Sequence, residues 1–510
     1  MTVSEAPQSG TDLAPLKAYI GGQWVESDAQ AYEDVTDSAT GEVIARCPLG
    51  GRSDAERAVA AAAKAFPAWR DTPVQKRCHI LFELRQRMVA AQDELAASLS
   101  REHGKTVPDA AGEVRRAIDM VEFAAGTFAH MKGESLLDIS SGIDCVSHRM
   151  PLGVVAGITP FNFPMMVPMW MLPLAIALGN TFVLKPSEKD PLTIMMIARM
   201  LDEIGLPPGV LNMVTGGKEL GEALCTLPDV KAVSFVGSTP VAKAVHAKAS
   251  AHGKRVQALG GAKNHAVVLP DADLEKTVQA LTAAAYGSAG QRCMAISAVV
   301  AVGDIGDPLV EGLAKEAANL RLGAGCRAES EMGPLITADA RDRVRGYLGK
   351  GVDEGATLVV DGRQRGPQGD NTAGGHFIAP SLFDRVTTEM SIYRDEIFGP
   401  VLVVLRAKSL DEALEIVNGN AFGNGTAIFT NSGGAARRYM RECTVGMVGI
   451  NVPIPVPMAN FSFCGWKDSF FGSLHAHGPD AIQFYTETKV VTERWFSSDP
   501  GEGGIRKWGL

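Results

Sequence analysis

The chain has 510 residues, 46% of them hydrophobic and 21% charged, with a formal net charge of −9. That length lets two or three domains each bury a core, and the composition is that of an ordinary globular protein. An acidic balance without a block of clustered Lys and Arg argues against a nucleic-acid partner, because phosphate binding needs concentrated positive charge.

The first residues, MTVSEAPQSGTDLAPL, lack the basic start and apolar core of a secretory signal. Eight cysteines occur with no CxxC pair, and no HExxH or EF-hand pattern is present. Free thiols, a cytoplasmic location and no metal are therefore expected.

In chain order, residues 15–50 alternate in short strand-like runs (AYIGGQWVES, then VTDSATGEVIARCPLG) separated by turn residues. Residues 53–135 read as long helices, with apolar residues recurring three and four apart. Ser53, with Glu56 three residues on, has the form of a capping box. The apolar stretch MMVPMWMLPLAIALG, Met165 to Gly179, is too short to span a bilayer and contains Pro168 and Pro173, so a buried helix is expected.

From 150 to 280, strand and helix alternate: GVVAGITP, TFVLKPS, LNMVTG, AVSFVGS and HAVVLP are the strands. That rhythm implies a parallel sheet with crossover helices. A second series, SAVVAVG, ATLVVDG, PVLVVLRA and TAIFTN, predicts a second α/β domain. The tail AIQFYTETKVVTERWF and residues 133–150 alternate like exposed strands suited to a projecting arm.

Five segments contain residues suited to chemistry. Cys293, in GSAGQRCMAIS, is preceded by small residues that let a substrate approach; a thiolate is a strong nucleophile, although a buried, inert Cys fits the same pattern. Asn162, in ITPFNFPMM, is an amide held between two prolines, or a plain turn residue. Lys185 and Glu188, in TFVLKPSE, end a strand where ribose and phosphate are commonly met, or form a solvated pair. Ser238, in SFVGSTPVAKAV, opens a helix whose amides suit a phosphate. Glu396, in DEIFGPVLVV, is a carboxylate beside Phe398, or an acidic turn.

In this order and spacing the segments resemble the aldehyde dehydrogenase superfamily, from about residue 15 to 495. The resemblance implies an aldehyde dehydrogenase-like α/β fold with two parallel-sheet domains. The expected divisions are a dinucleotide-binding domain over 1–130 and 151–260, a catalytic domain over 261–460, and an oligomerisation arm over 131–150 and 478–510. It implies Cys293 as nucleophile and Asn162 as oxyanion donor. It places Thr159, Phe161, Lys185, Glu188, Lys189, Ser238, Gly260, Glu396 and Phe398 around NAD. Ala242 stands where many members have Gly.

Ala258, in RVQALGGAKNHAVV, is a sharper departure. Hydrolytic members of the superfamily carry a Glu there, a general base that activates water against the thioester. A methyl cannot take a proton, so a better nucleophile than water is needed. GAKNH, GQRCMA, VGINVPIPVPM, FCGWKDSFFG and LHAHG resemble the CoA-acylating methylmalonate-semialdehyde dehydrogenase subfamily. That resemblance implies NAD as cofactor, CoA as co-substrate, a short acidic semialdehyde and a homotetramer; the charge balance and the short apolar stretch leave no nucleic-acid or membrane partner expected. A substrate carboxylate would need a cation, and Arg292 and Arg116 are the candidates. The alternatives are a hydrolytic NAD(P)-dependent dehydrogenase of another short aldehyde, and a non-catalytic relative.

Overall fold

The runs VVAGI (Val154–Ile158), TFVLK (Thr181–Lys185) and VKAVSFV (Val230–Val236) are almost wholly buried. Such continuous apolar strands suit a parallel sheet covered on both faces. In the computed structural model, which describes residues 13–367 and 372–495, they form the centre of an eight-stranded sheet. Arg255–Leu259 pairs in parallel beside Val230–Val236. Leu211–Met213 lies on the other side, next to Thr181–Lys185. Both edges are antiparallel: Ala18–Ile20 with Gln23–Val25 at one, Phe470–Gly472 at the other. The sheet is therefore parallel at its centre and mixed overall.

A second sheet of seven strands has Val401–Ala407, Ile296–Val302, Asn264–Val268, Gly425–Phe429 and Met447–Ile450 in parallel order. Ser381–Asp384 continues the parallel part, and Thr357–Val360 closes the edge antiparallel. Each sheet has its own core of buried aliphatic residues, so the two-domain expectation matches the packing. A third, three-stranded sheet joins Thr486–Glu493 to Ile143–Pro151 and Ser135–Ser140. Leu136, Leu137 and Val490 are all more than 60% exposed on this arm.

Three local expectations need adjustment. Residues 478–484 are a helix whose Ala481, Ile482 and Phe484 are buried in the first core, so the second arm segment begins at Thr486. Its expected continuation over 496–510 lies outside the described residues, as do residues 1–12 of the first domain. RVQAL is a strand; Arg255 and Gln257 interrupt the apolar run that marks its neighbours. Ser53 is not a cap: the helix Arg52–Arg70 starts after Gly51, and the Ser53 hydroxyl donates to Asp28. Met166–Ala177 is a fully buried helix as expected, and among the described residues no helix is long and apolar enough to cross a membrane.

The site residues follow from this topology. Thr159, Phe161 and Asn162 leave the carboxyl end of Val154–Ile158; Lys185, Ser238 and Gly260 leave the same end of three other strands. In open α/β sheets that end is where ligands are held.

Candidate active site

The segment that delivers Cys293 is strained. After the helix Leu274–Tyr286 the chain turns through Gly287–Gly290, with Ser288 at φ 53° and Ala289 at φ 52°. Two successive L-residues in the left-handed region cost about 1–2 kcal/mol each. Gly290, at φ 71°, lies so close to the Gly399 carbonyl that a Cβ would come within 2.3 Å of it. The backbone N–H groups of Cys293 and Met294 favour the ionised form of the thiol. Burial, with the nearby Glu396 carboxylate adding to it, outweighs them and pushes the thiol up to about 12.

Asn162 reaches the same loop. Its Nδ2 donates to the Gln291 carbonyl at 3.0 Å, which leaves its second N–H for another acceptor. Its own carbonyl accepts from Lys105 Nζ at 2.9 Å. Lys105 also pairs with Glu113 at 2.5 Å, and both side chains are buried. Glu113 Oε1 accepts from the N–H groups of Met165 and Met166 at 3.0 and 2.9 Å, satisfying the first amides of the Met166–Ala177 helix. Lys105 and Glu113 were not singled out from the sequence. The available signal was a Glu on the buried face of Val107–Ala125, among Ala110, Val114 and Ala117.

That helix also carries Asp109 and Arg116, at i and i+7 with Glu113 between, so the three share one face. Arg292 does not point free: its Nη2 is held by Asp109 at 2.7 Å. Arg116 is half-buried two helical turns further on, with Nη1 3.0 Å from Met458 Sδ. Burial of His477, with the Arg116 charge a smaller effect, lowers that imidazole to about 4. Arg116 thus lies on this helix and Arg292 is tied to it, and Arg116 lacks a carboxylate partner among its hydrogen bonds and ion pairs.

A cavity of about 650 Å³ opens at the strand ends. Thr159, Phe161, Lys185, Glu188, Lys189 and Ser238 all line it. Lys185 donates to Glu188 at 3.0 Å. Burial alone would raise the Glu188 carboxyl, but Lys185 overcomes it and holds Glu188 below the usual range. Lys189 pairs with Glu33. The Thr159 hydroxyl is buried without a hydrogen-bond partner, and Ser238 precedes the helix Thr239–Ala251 without capping it. An orphaned hydroxyl, uncommitted helix amides and an ionised carboxylate beside the cavity fit a ribose–phosphate ligand such as a dinucleotide. Ala242 is fully buried in that helix, so its methyl is absorbed by the core.

Glu396 and Phe398 approach from the second domain. Glu396 lines a smaller cavity with Cys293, Asn264 and Phe398, and accepts from the Ala262 N–H at 2.9 Å. Burial raises its carboxyl to about 7 against that hydrogen bond and Lys263. Phe398, at φ 55°, meets Phe161 edge to face at 5.8 Å and so joins the two cavities. Gly260 packs against Thr239 and the Asp468 carbonyl, whereas a Cβ on Gly261 would lie 2.4 Å from Glu396 Oε2. The close approach to Glu396 thus belongs to Gly261, one residue beyond the position singled out.

The model of the Aldehyde dehydrogenase family matches residues 24–491. The chain belongs to the aldehyde dehydrogenase family. A malonate-semialdehyde dehydrogenase of Pseudomonas aeruginosa is 52% identical over 484 residues, covering 95% of this chain and 97% of that protein. The crystal structure of a methylmalonate-semialdehyde dehydrogenase from Oceanimonas doudoroffii superposes with a TM-score of 0.93 at 48% identity, over 95% of this chain and 99% of that one. An NAD⁺ complex of an aldehyde dehydrogenase from Bacillus cereus superposes with a TM-score of 0.89 at 31% identity, over 94% and 97% of the two chains. The motif resemblance thus extends through both domains of this aldehyde dehydrogenase.

In this aldehyde dehydrogenase Ala258 is wholly buried on Arg255–Leu259, in register with Phe235 on one side and Phe471 on the other. Nothing at that position can accept a proton. Among the described residues no group of His, Cys, Asp and Glu could hold a metal ion.

Proposed function

We propose that this enzyme oxidises a short acidic semialdehyde, malonate or methylmalonate semialdehyde, with NAD and transfers the acyl group to CoA. One observation carries the acyl-transfer half: a buried Ala258 methyl at the sequence position where hydrolytic members of the family carry their water-activating Glu. Without that base, a thioester on Cys293 persists until a thiol displaces it, and a thiol ionises far more readily than water. Similarity to malonate- and methylmalonate-semialdehyde dehydrogenases supports the substrate class.

Bound NAD supplies the hydride acceptor. Lys185, Glu188, Lys189 and Ser238 would hold its adenosine and phosphates, and Glu396 its second ribose, with Thr159, Phe161, Gly260 and Phe398 beside it. The chain's own residues do the remainder. Cys293 attacks the aldehyde as a thiolate, and the free N–H of Asn162 together with the Cys293 amide receives the oxyanion. Oxidation leaves a thioester. With a carboxylate β to the thioester carbonyl, loss of carbon dioxide gives an enolate that the same donors stabilise. Protonation yields a propanoyl or acetyl group, which CoA removes. Arg116, and Arg292 once exchanged from Asp109, are the cations for the substrate carboxylate.

Two features support a homotetramer and a cytoplasmic location: an arm with exposed apolar side chains, and eight free cysteines. A second reading, hydrolysis of another short aldehyde, is favoured by Glu396, a carboxylate at about 7 in the Cys293 cavity and so suited to act as a base on water. Following NADH with malonate and methylmalonate semialdehydes, with and without CoA, separates the two. Acyl-CoA formed with CoA, and turnover stalled without it, supports acyl transfer; equal turnover to a free acid contradicts it.

A further inference from the structure

The GAKNH and FGNGTAIF segments contain two buried asparagines, Asn264 and Asn424, that the reaction as described does not use. They stand at the starts of neighbouring parallel strands, Asn264–Val268 and Gly425–Phe429. Both side chains converge on one atom. Asn264 Nδ2 donates to the Cys293 carbonyl at 2.8 Å, and Asn424 Nδ2 donates to the same oxygen at 3.0 Å. Asn264 is itself fixed: it also donates to the Ala295 carbonyl at 2.9 Å and accepts from the Gly425 N–H at 3.0 Å. Asn424 makes a further contact with Met294 Sδ at 3.1 Å. Gly425 presses on the same side chain, since a Cβ there would lie 2.5 Å from Met294 Cε.

A carbonyl oxygen has two lone pairs, and a buried one is adequately served by a single donor. Here two amides occupy it, and the peptide whose oxygen they hold is the one joining Cys293 to Met294. The N–H of that peptide belongs to Met294, and it favours the ionised form of the Cys293 thiol. Hydrogen bonds to a peptide oxygen polarise the unit and strengthen its N–H as a donor. They also fix the orientation of the peptide that leaves the Cys293 Cα.

We propose that Asn264 and Asn424 are positioning residues that hold the Cys293–Met294 peptide in one orientation beside the nucleophile, and so set how readily Cys293 reacts as a thiolate. The inference rests on Cys293 as the nucleophile. Asn424 is the cleaner probe, because Asn264 also ties two strands together.

The test is iodoacetamide labelling of the full-length enzyme, with the Cys293 peptide followed by mass spectrometry across pH 6–10 and the exposed Cys326 as an internal control. Asn424→Leu keeps the side-chain volume and removes both donors; Asn424→Ala replaces it if the Leu variant does not fold. Cys293 labelling at pH 8 is expected to slow about threefold, a shift of roughly half a pK unit, while Cys326 labelling stays unchanged. A Cys293 rate–pH profile identical to that of the parent enzyme overturns the proposal, whether or not turnover falls. Cys293→Ser is assayed in parallel: if it still makes NADH, the nucleophile assignment fails, independently of how labelling responds to Asn424.

Discussion

Ala258→Glu restores a carboxylate at the position where this enzyme lacks one, and its consequences can be estimated from the surroundings. The new side chain enters a wholly buried site flanked by Phe235 and Phe471. Overfilling such a site costs about 1–3 kcal/mol, which thermal unfolding would record as a lower midpoint. The apolar neighbours also disfavour the charged form, so the carboxyl should titrate up to ~3 units above an ordinary Glu. That is not a handicap for catalysis, because a base titrating near neutral pH is well matched to activating water. General base assistance contributes about 10²–10⁴-fold to such a step. NADH formation in the absence of CoA should therefore rise at least tenfold, with free acid as product, and should increase with pH as the new carboxylate ionises. A folded variant that still forms the Cys293 thioester, yet hydrolyses it no faster than the parent enzyme, would refute the claim that the missing base resides at Ala258.

Other outcomes follow from the same geometry. Arg116→Ala should raise KM for an acidic semialdehyde at least tenfold while leaving propanal nearly unaffected, because only the former has a carboxylate to lose; steady-state kinetics with both substrates checks this. Lys105→Met leaves Glu113 charged and unpaired in the interior; it should cost about 3–5 kcal/mol of stability and lower kcat by freeing the Asn162 carbonyl, read by denaturant unfolding and turnover. Glu396 is raised to about 7 by burial, so the folded state holds more protons than the unfolded chain between the ordinary Glu value and 7. Its contribution to stability therefore falls as pH rises through that window, and Glu396→Gln should flatten this part of the stability–pH curve. The same variant removes a negative charge that pushes the Cys293 thiol up, so alkylation of Cys293 at pH 9 should accelerate.

The central strands were legible because each is a short run rich in Val, Ile and Leu or Phe, buried at nearly every position. RVQAL was not, since Arg and Gln occupy two of its five positions, and the strand that covers its outer edge, Phe470–Gly472, returns from more than 200 residues away. Cys293, Asn162 and Glu396 stood out by residue type and local setting, and the fold brings them around one junction between the domains. The partners that fix them could not be read locally. The Lys105–Glu113 pair meets Asn162 across 57 positions, and Asn424 meets Cys293 across 131. Such contacts are products of packing, and no motif spacing encodes them. The tie between Arg292 and Asp109 is of the same kind.

The most direct test of acyl transfer in place of hydrolysis is to catch the enzyme between its two half-reactions. The enzyme is mixed with NAD and malonate or methylmalonate semialdehyde in a single turnover, quenched, and its Cys293 peptide is weighed by mass spectrometry. Without CoA, an acyl adduct on Cys293 should accumulate alongside one equivalent of NADH; adding CoA before the quench should discharge it as acyl-CoA. An adduct that never accumulates, or that leaves as free acid at the same rate with or without CoA, would contradict the account.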